Sequence, residues 1–515
     1  MPNRTGDVCY AGYPKATLEI EEDGKTTTRE LLWGDWMEVT GDAQDGWLPV
    51  RPRGLEAEMP CRVKESEVQS ERLLEVTFVD IGQGDGALIR TPDDRHIILD
   101  AGQSDNMYRF LKWKYNFRKQ RLPFKFTGII SHSDLDHYKG FEPLFEDANV
   151  QFDTIYHNGI IEDTSEDGLG GHIDIDGRRY VDEVIQDDDA MRAFLDDRTR
   201  WVRILDSSRE SPKVYGNMLN TLAQSDRVET FSALNTKPDA NSYLPGYEPA
   251  DGTLAIQVLG PVLERNSDGK DRLRWFAASP TSRSYNAGKT KNGHSVILQL
   301  QYGGVRILLG GDLNTSAGVF LLEQYGNNGE SLPKSDDARE EAVMRAREVF
   351  QSDVAKSCHH GSHDVPDDLM RAFNAAATVI SSGDNESHAH PRCDTLGAIG
   401  LYGRGKRPLI FSTELARSAR ERGVTREDLA KLEKARERHA NATTDEAREK
   451  TLAALEKMER TVLARGVEVY GAINLRTDGT NVVMAYRKEK LKAGWDIYCL
   501  EPDEDERLTY APDRA

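Results

Sequence analysis

The chain has 515 residues, 38% hydrophobic and 30% charged, a length that suggests about three domains and large cores without disulfide staples. Its net charge of −20 excludes a surface coated in Lys and Arg for non-specific nucleic-acid binding, while leaving room for a local basic groove. No run approaches the ~18 apolar residues of a membrane helix, and the opening Met1-Pro-Asn-Arg-Thr-Gly has no signal-peptide pattern. The five cysteines are never spaced C-x-x-C, which fits neither a disulfide framework nor a cysteine zinc site. A cytoplasmic protein with no membrane partner is expected; the sequence leaves the oligomeric state open.

Residues 1–72 read as a small all-β unit. Val8-Cys-Tyr, Thr17-Leu-Glu-Ile, Leu31-Leu-Trp and Trp36-Met-Glu-Val are strand-like runs, separated by turns at Asp23-Gly24, Trp33-Gly34-Asp35 and Asp45-Gly46. Leu32-Trp-Gly-Asp-Trp-Met-Glu-Val followed by Asp45-Gly-Trp-Leu-Pro-Val50 resembles the bacterial Src-homology-3-like barrel, so a small closed barrel is expected, with an ordinary hairpin extension as the alternative. Trp33, Trp36 and Trp47 are read as its core rather than as a recognition groove for a protein partner.

From Leu73 the register changes. Leu73–Asp80, Ala87–Ile89, Ile97–Leu99 and Phe126–Ile130 are apolar strands between Gly-rich turns, a pattern of α/β type with buried strands. Residues 161–200 carry 13 Asp/Glu against 5 Arg and read as a solvated insertion. Residues 270–291 hold six Lys/Arg and one Asp, interleaved with Trp275, Phe276 and Tyr285. Arg272, Arg274, Lys289 and Lys291 are therefore candidate phosphate contacts, and Trp275 and Tyr285 candidate base-stacking platforms; an ordinary loop with a buried Trp is the alternative. Ser295–Leu300 and Val305–Leu309 are a further strand pair, 337–351 a helix, and 425–465 two charged helices joined near Asn441. Thr425…Asp428 and Thr443…Glu446 match capping-box patterns, and strands return at Val467-Glu-Val-Tyr and Val482–Tyr486.

The chemistry concentrates at His132-Ser-Asp134-Leu-Asp136-His137, directly after the apolar run Gly128–Ser131. Four ligand-type residues in six, at a strand end, can turn inward together. Imidazole and carboxylate hold divalent ions while leaving positions open for water. Without a cation such a cluster would bury acids and imidazoles at a large desolvation cost.

The hexapeptide resembles the H-x-H-x-D-H signature of the metallo-β-lactamase superfamily, in the H-x-D-x-D-H form of the branch containing the nuclease domain of ComEC-type competence proteins. Further landmarks resemble that branch in order: Val79–Asp85, Ile98–Gly102, Asn292–Leu298, Leu308–Leu313, His359-His-Gly-Ser362, Ser381–Asn385 with His390-Pro391, and Gly471–Gly479. The resemblance implies an αββα sandwich over about 73–411 with an insertion near 160–290, a helical hairpin inserted at 412–466 and C-terminal strands at 467–515 completing the hydrolase domain. It also implies two divalent ions, Zn or Mn: His132 and Asp134 on one, Asp136, His137 and His360 on the other, and Asp312 bridging, with His359 the fallback for His360. Asp100, Asp80 and Ser362 would support these ligands, and Asp85 lies near them by resemblance only. The superfamily's third-motif histidine has no clear counterpart, Asn292 or His294 being the candidates. Asn292, Ser295, Ser362 and Asn385 are candidate donors to a developing charge, and His390 a candidate proton donor to the leaving oxygen. The expected activity is phosphodiester hydrolysis, with DNA or RNA as substrate and Asp136, His390, Asn292 and Asn385 in the catalytic centre. A small-molecule hydrolase for a cyclic nucleotide or lactone is the first alternative. A binding or scaffold protein with a vestigial site, using the N-terminal unit or the helical insertion, is the second.

Overall fold

The computed structural model describes residues 4–22, 24–53, 59–117, 122–206, 209–279, 282–383, 389–413, 426–467, 472–488 and 494–512. Two mixed sheets carry the apolar strand runs. The larger has ten strands in the order Val228–Ala233, Val150–His157, Phe124–Ile129, His96–Ala101, Gly86–Arg90, Leu74–Phe78, Ile473–Thr477, Val482–Arg487, Trp495–Pro502 and Leu508–Tyr510. The smaller has six: Ala255–Gly260, Ile297–Tyr302, Val305–Leu309, Val354–Lys356, Ala377–Ile380 and Leu409–Ser412.

Strand side chains alternate between faces, and that alternation sorts the core into layers. Leu74, Val76, Ile97 and Leu99 of the larger sheet meet Leu298, Ile307, Val354 and Val379 of the smaller in one buried cluster. The intervening Leu88 and Ile98 face outward, onto Met107, Phe110, Leu144, Phe194 and Leu219 of the helices that cover that side. Leu308 and Ala355 likewise face Phe320, Leu321, Val343, Phe350 and Leu369 on the opposite side. The order is helix, sheet, sheet, helix. Because both faces of both sheets are covered, the strands read as continuous apolar runs rather than as polar–apolar alternation.

The N-terminal unit is a seven-stranded sheet in the order Lys25–Leu32, Lys15–Glu22, Cys61–Lys64, Trp47–Pro52, Trp36–Val39, Val8–Ala11 and Val68–Gln69. It does not close as the expected barrel does: among the described residues no ladder joins its first and last strands. The physical reason lies in those edges. Lys25, Thr26, Thr27 and Thr28 are exposed on one, and the other strand is two residues long, so polar side chains and shortness protect edges that closure would have paired. Trp33 is buried and donates through Nε1 to Gln69 at 2.7 Å. With Leu32 and Leu73 it packs on Val483, Ala485, Ile497 and Cys499 of the larger sheet. Trp47 is half-buried, with the Arg62 guanidinium 4.6 Å above its ring.

Helices Arg426–Ala440 and Asp445–Val467 pack on each other, and the second also touches helix Asn106–Tyr115. Thr444, not Thr443, caps the second helix, its hydroxyl accepting from the Ala447 amide at 3.2 Å. Thr425 lies outside the described residues. Of the strand expected at 467–470, Val467 is the last residue of this helix and 468–470 lie outside the described residues.

Candidate metal centre

The larger sheet delivers its ligand-type residues just past strand ends. Strand Phe124–Ile129 runs on through Ile130 and Ser131 into His132, and the short helix Leu135–Tyr138 carries Asp136 and His137. Asp100 sits on strand His96–Ala101 at an irregular register, with φ of 54°. It grips this loop twice: Oδ1 accepts from the Ser131 amide at 2.7 Å and Oδ2 meets His137 Nδ1 at 2.9 Å. From the smaller sheet, strand Val305–Leu309 leads into Gly310, Gly311 and Asp312. Gly311 has φ of 55°, and a Cβ there would lie 2.5 Å from the Ser295 Cβ, so glycine lets the Asp312 amide reach the Ser295 hydroxyl at 3.0 Å. After strand Val354–Lys356 the chain turns through His359 and His360 at φ of 47° and 54°. Three non-glycine residues in the left-handed region around one cluster are backbone strain held at a site, of order 1–3 kcal/mol each.

The histidines are oriented alike. His137 Nδ1 faces Asp100, His360 Nδ1 faces the Ser381 carbonyl at 3.0 Å, and His132 Nδ1 faces the Ser131 hydroxyl at 3.1 Å. In the neutral imidazole, a nitrogen bonded to a carbonyl or carboxylate carries the one proton, which leaves Nε2 as the lone pair open to a cation. The Nε2 atoms of His132, His137 and His360, and Oδ1 of Asp312, are buried without a hydrogen-bond partner. Asp312 Oδ2 stands 3.3 Å from His137 Nε2 and 3.1 Å from His360 Nε2, and Asp136 Oδ2 is 3.5 Å from His360 Nε2. Two ligands ~2.0–2.1 Å from one tetrahedral ion stand about 3.3 Å apart, so these spacings match a shared cation. The convergent sets are His132–His137–Asp312, Asp136–His137–His360, Asp85–Asp312–His360 and Asp85–Asp100–His137. The donors are all nitrogen and oxygen, which suits Zn²⁺ or Mn²⁺.

The local field also favours a cation. Burial pulls His360 down, yet the Asp312 and Asp85 carboxylates overcome it and hold the imidazole up at about 10. His137 is raised in the same way by Asp312 and Asp100 against burial. Asp312 is held well below the usual carboxylate range, the two imidazoles outweighing its burial. Imidazoles that cling to protons among carboxylates mark a place where positive charge is stabilised.

Asp85, which the resemblance places near the ligands, is buried inside the cluster, 3.2 Å from His360 Nδ1. Two contributors were not assigned from the sequence. Gln83 donates to Asp136 Oδ2 at 2.9 Å. Lys356 is buried too, with its ammonium on Asp85, 3.0 Å from the Gly311 carbonyl and 3.7 Å from Asp312 Oδ1. Its one sequence signal was a lysine on the inward face of an apolar strand, in register with Val354.

Other expected residues lie elsewhere. Asp134 joins no convergent set; its carboxylate pairs with the Lys291 ammonium and lies 3.4 Å from His132 Nε2. His294 turns away, bonding the Arg274 carbonyl at 2.7 Å and stacking on Phe276 at 4.6 Å, and burial pushes it down to about 4. Asn292 uses its backbone carbonyl, which accepts from the Ser295 amide and hydroxyl. Asp80 accepts from the Gly82 amide at 3.3 Å, a turn-forming contact. Ser362 accepts from the Asp364 amide at 3.2 Å and takes the Thr395 hydroxyl on its carbonyl. His390 stands near the cluster, its ring 6.3 Å from that of His360, and His359 is 5.9 Å from His390. His360, not the fallback His359, joins the cluster. Asn385 lies outside the described residues.

The basic segment does not form a free phosphate-contacting strip. Arg272 pairs with Asp268 at 2.8 Å, Arg274 with Glu264 at 2.6 Å and with Glu323 at 3.4 Å, Lys289 with Asp364, and Lys291 with Asp134 and Glu162. Trp275 is buried among Ile160, Leu169, Val181 and Leu273. Composition counted the cations but not the carboxylates that the fold brings to them, and a half-buried cation is retained only where it is paired.

No protein-family model and no curated protein matches the sequence. Among solved structures, Zn²⁺-bound PqqB from Methylobacterium extorquens is similar over 64% of this chain and 85% of its own, at 8% identity and a TM-score of 0.28. So distant a likeness assigns neither a family nor a reaction.

Proposed function

We propose that the protein is a metal-dependent hydrolase of the metallo-β-lactamase type and that its substrate is a phosphodiester, nucleic acid first. The observation that supports this reading is the group of buried, unpartnered Nε2 atoms on His132, His137 and His360 around Asp312. Asp136, His137, Asp312 and His360 would hold a divalent ion. Bound there, such an ion supplies a Lewis acid that polarises a phosphoryl oxygen and makes water nucleophilic near neutral pH. The chain's own groups prepare the site. Asp100 holds the proton on His137 Nδ1, the Ser381 carbonyl does so for His360, and Gln83 fixes the Asp136 carboxylate. His390, whose ring lies 6.3 Å from that of His360, would hand a proton to the leaving oxygen.

A second reading, hydrolysis of a compact substrate such as a cyclic nucleotide or lactone, is favoured by the internal pairing of Arg272, Arg274, Lys289 and Lys291. The test loads the protein with Mn²⁺ or Zn²⁺ and offers a single-stranded oligonucleotide, a cyclic nucleotide and a lactone, beside Asp312→Ala and His137→Ala. Oligonucleotide cleavage lost in both variants supports the first reading. Turnover of the small substrates alone selects the second. Cleavage that survives in both variants points to another site or a contaminant.

A further inference from the structure

Resting on the metal-centre reading above, we propose that the protein holds one divalent ion rather than two, because the Lys291 ammonium neutralises Asp134, the carboxylate that faces His132 and that another ion would need. His137 offers one ligand atom only, since Nδ1 is committed to Asp100 at 2.9 Å. Its Nε2 is nevertheless common to the His132–His137–Asp312 set and the Asp136–His137–His360 set. One lone pair binds one ion, so the two sets compete. Once His137 goes to the ion shared with Asp136 and His360, His132 keeps Asp312 as its partner from the convergent sets. Two ligands are short of the four that zinc sites use, or the three that catalytic sites supply besides water.

Neither remaining candidate makes up that number. His294 is stacked on Phe276 and bonded to the Arg274 carbonyl. Asp134 Oδ2 lies 3.4 Å from His132 Nε2, but the charge of this carboxylate is already met at Oδ1 by Lys291, whose ammonium lies between the carboxylates of Asp134 and Glu162 while the residue as a whole is 8% exposed. The lysine is fixed from its backbone. Helix Ala287–Gly293 is capped by Asn286, the Thr290 hydroxyl takes the Phe276 amide at 2.9 Å, and Asn314 donates to the Lys289 carbonyl at 2.9 Å. An ammonium held in this way balances the carboxylates that would otherwise draw in a cation, and it excludes that cation by charge.

Metal analysis after Mn²⁺ loading and dialysis tests this, with electron paramagnetic resonance as a readout independent of turnover. Wild type is expected to hold about one Mn²⁺ per chain with an uncoupled six-line spectrum. Asp134→Asn is expected to keep that ratio with an affinity within about threefold of wild type. Lys291→Ala frees Asp134 and Glu162 beside His132 and is expected to take up a further ion, with an exchange-coupled spectrum. Two ions in wild type, or loss of an ion in Asp134→Asn, overturns the inference while leaving the metal centre standing. A folded Lys291→Ala chain that stays at one ion overturns the assignment to the ammonium. A wild-type chain that holds none overturns both this inference and the metal-centre reading. Should Lys291→Ala fail to fold, the wild-type ratio and Asp134→Asn still decide.

Discussion

Asp100 illustrates how much one side chain can control. Buried at φ of 54°, it holds both the Ser131 amide and His137 Nδ1. Asp100→Asn keeps the shape but removes the charge that fixes the His137 tautomer, and is expected to weaken metal binding about 10–100-fold; competition against a chelator of known affinity measures it, and an unchanged affinity would contradict the orienting role. The same cluster sets a pH dependence. His360 is raised to about 10 when folded, against ~6.5 when unfolded, so its contribution to metal-free stability is full below about pH 6.5 and is lost as pH rises toward 10. Asp312 is depressed, so its contribution is present above about pH 4 and is lost as pH falls through its folded value. The metal-free protein is therefore expected to melt at a higher temperature near pH 6 than near pH 9. Bound metal needs bare Nε2 atoms and is expected to stabilise more at the alkaline end. Melts at both pH values, with and without chelator, test this; equal midpoints without metal would count against it.

At the scale of elements, the loop Gly82-Gln83-Gly84 decides whether Asp136 is placed. Gly84 has φ of 102°, and a Cβ on it would fall inside the Asp136 backbone carbonyl. No flexible side chain can yield there. Gly84→Ala is expected to push the loop off helix Leu135–Tyr138, break the Gln83–Asp136 hydrogen bond and cost about 1–3 kcal/mol; denaturant melts and a metal titration would read both effects. Helix Thr315–Gly326 depends on Asn314 in a comparable way. The Asn314 side chain accepts from the Ala317 amide at 3.2 Å and donates to the Lys289 carbonyl at 2.9 Å, so it caps one helix and ties down another. Asn314→Ala is expected to cost about 1–2 kcal/mol, visible as a lower melting temperature and faster amide exchange in Ala287–Gly293. The Gly82–Gly84 loop was legible in the sequence as a glycine turn near the site, because the residue types that tolerate positive φ are few. The hydrogen bond from Gln83 was not, because a neutral amide carries no local signal of the carboxylate it will meet.

Across the whole molecule, the N-terminal unit is joined to the larger sheet rather than tethered beside it. Arg476 is buried, donates to the Trp33 carbonyl at 2.5 Å and pairs with Asp35 at 2.9 Å, over the patch where Trp33 meets Val483 and Cys499. Removing a buried indole from such a joint costs about 3–5 kcal/mol. Trp33→Ala is expected to lower stability by that order and to open the N-terminal unit to protease. Metal stoichiometry should stay unchanged, since no described residue of that unit is among the convergent ligands. A chain that loses its metal on this substitution would show that the unit supports the site as well as the sheet.

The sequence by itself determined the residue types of the centre. Four ligand-type side chains in six positions after an apolar strand are constrained by ligation chemistry and by a local turn, and both can be read from neighbours in the chain. It likewise determined the buried α/β strands, whose apolar runs require cover on both faces. Tertiary structure alone decided the charges and the edges. Lys356 meets Asp85 across 271 positions of sequence and Lys291 meets Glu162 across 129. Whether a lysine binds a substrate phosphate or neutralises a buried carboxylate depends on what stands opposite it in space. The open N-terminal sheet has the same origin: strand propensity is local, whereas closure depends on how two distant edges meet.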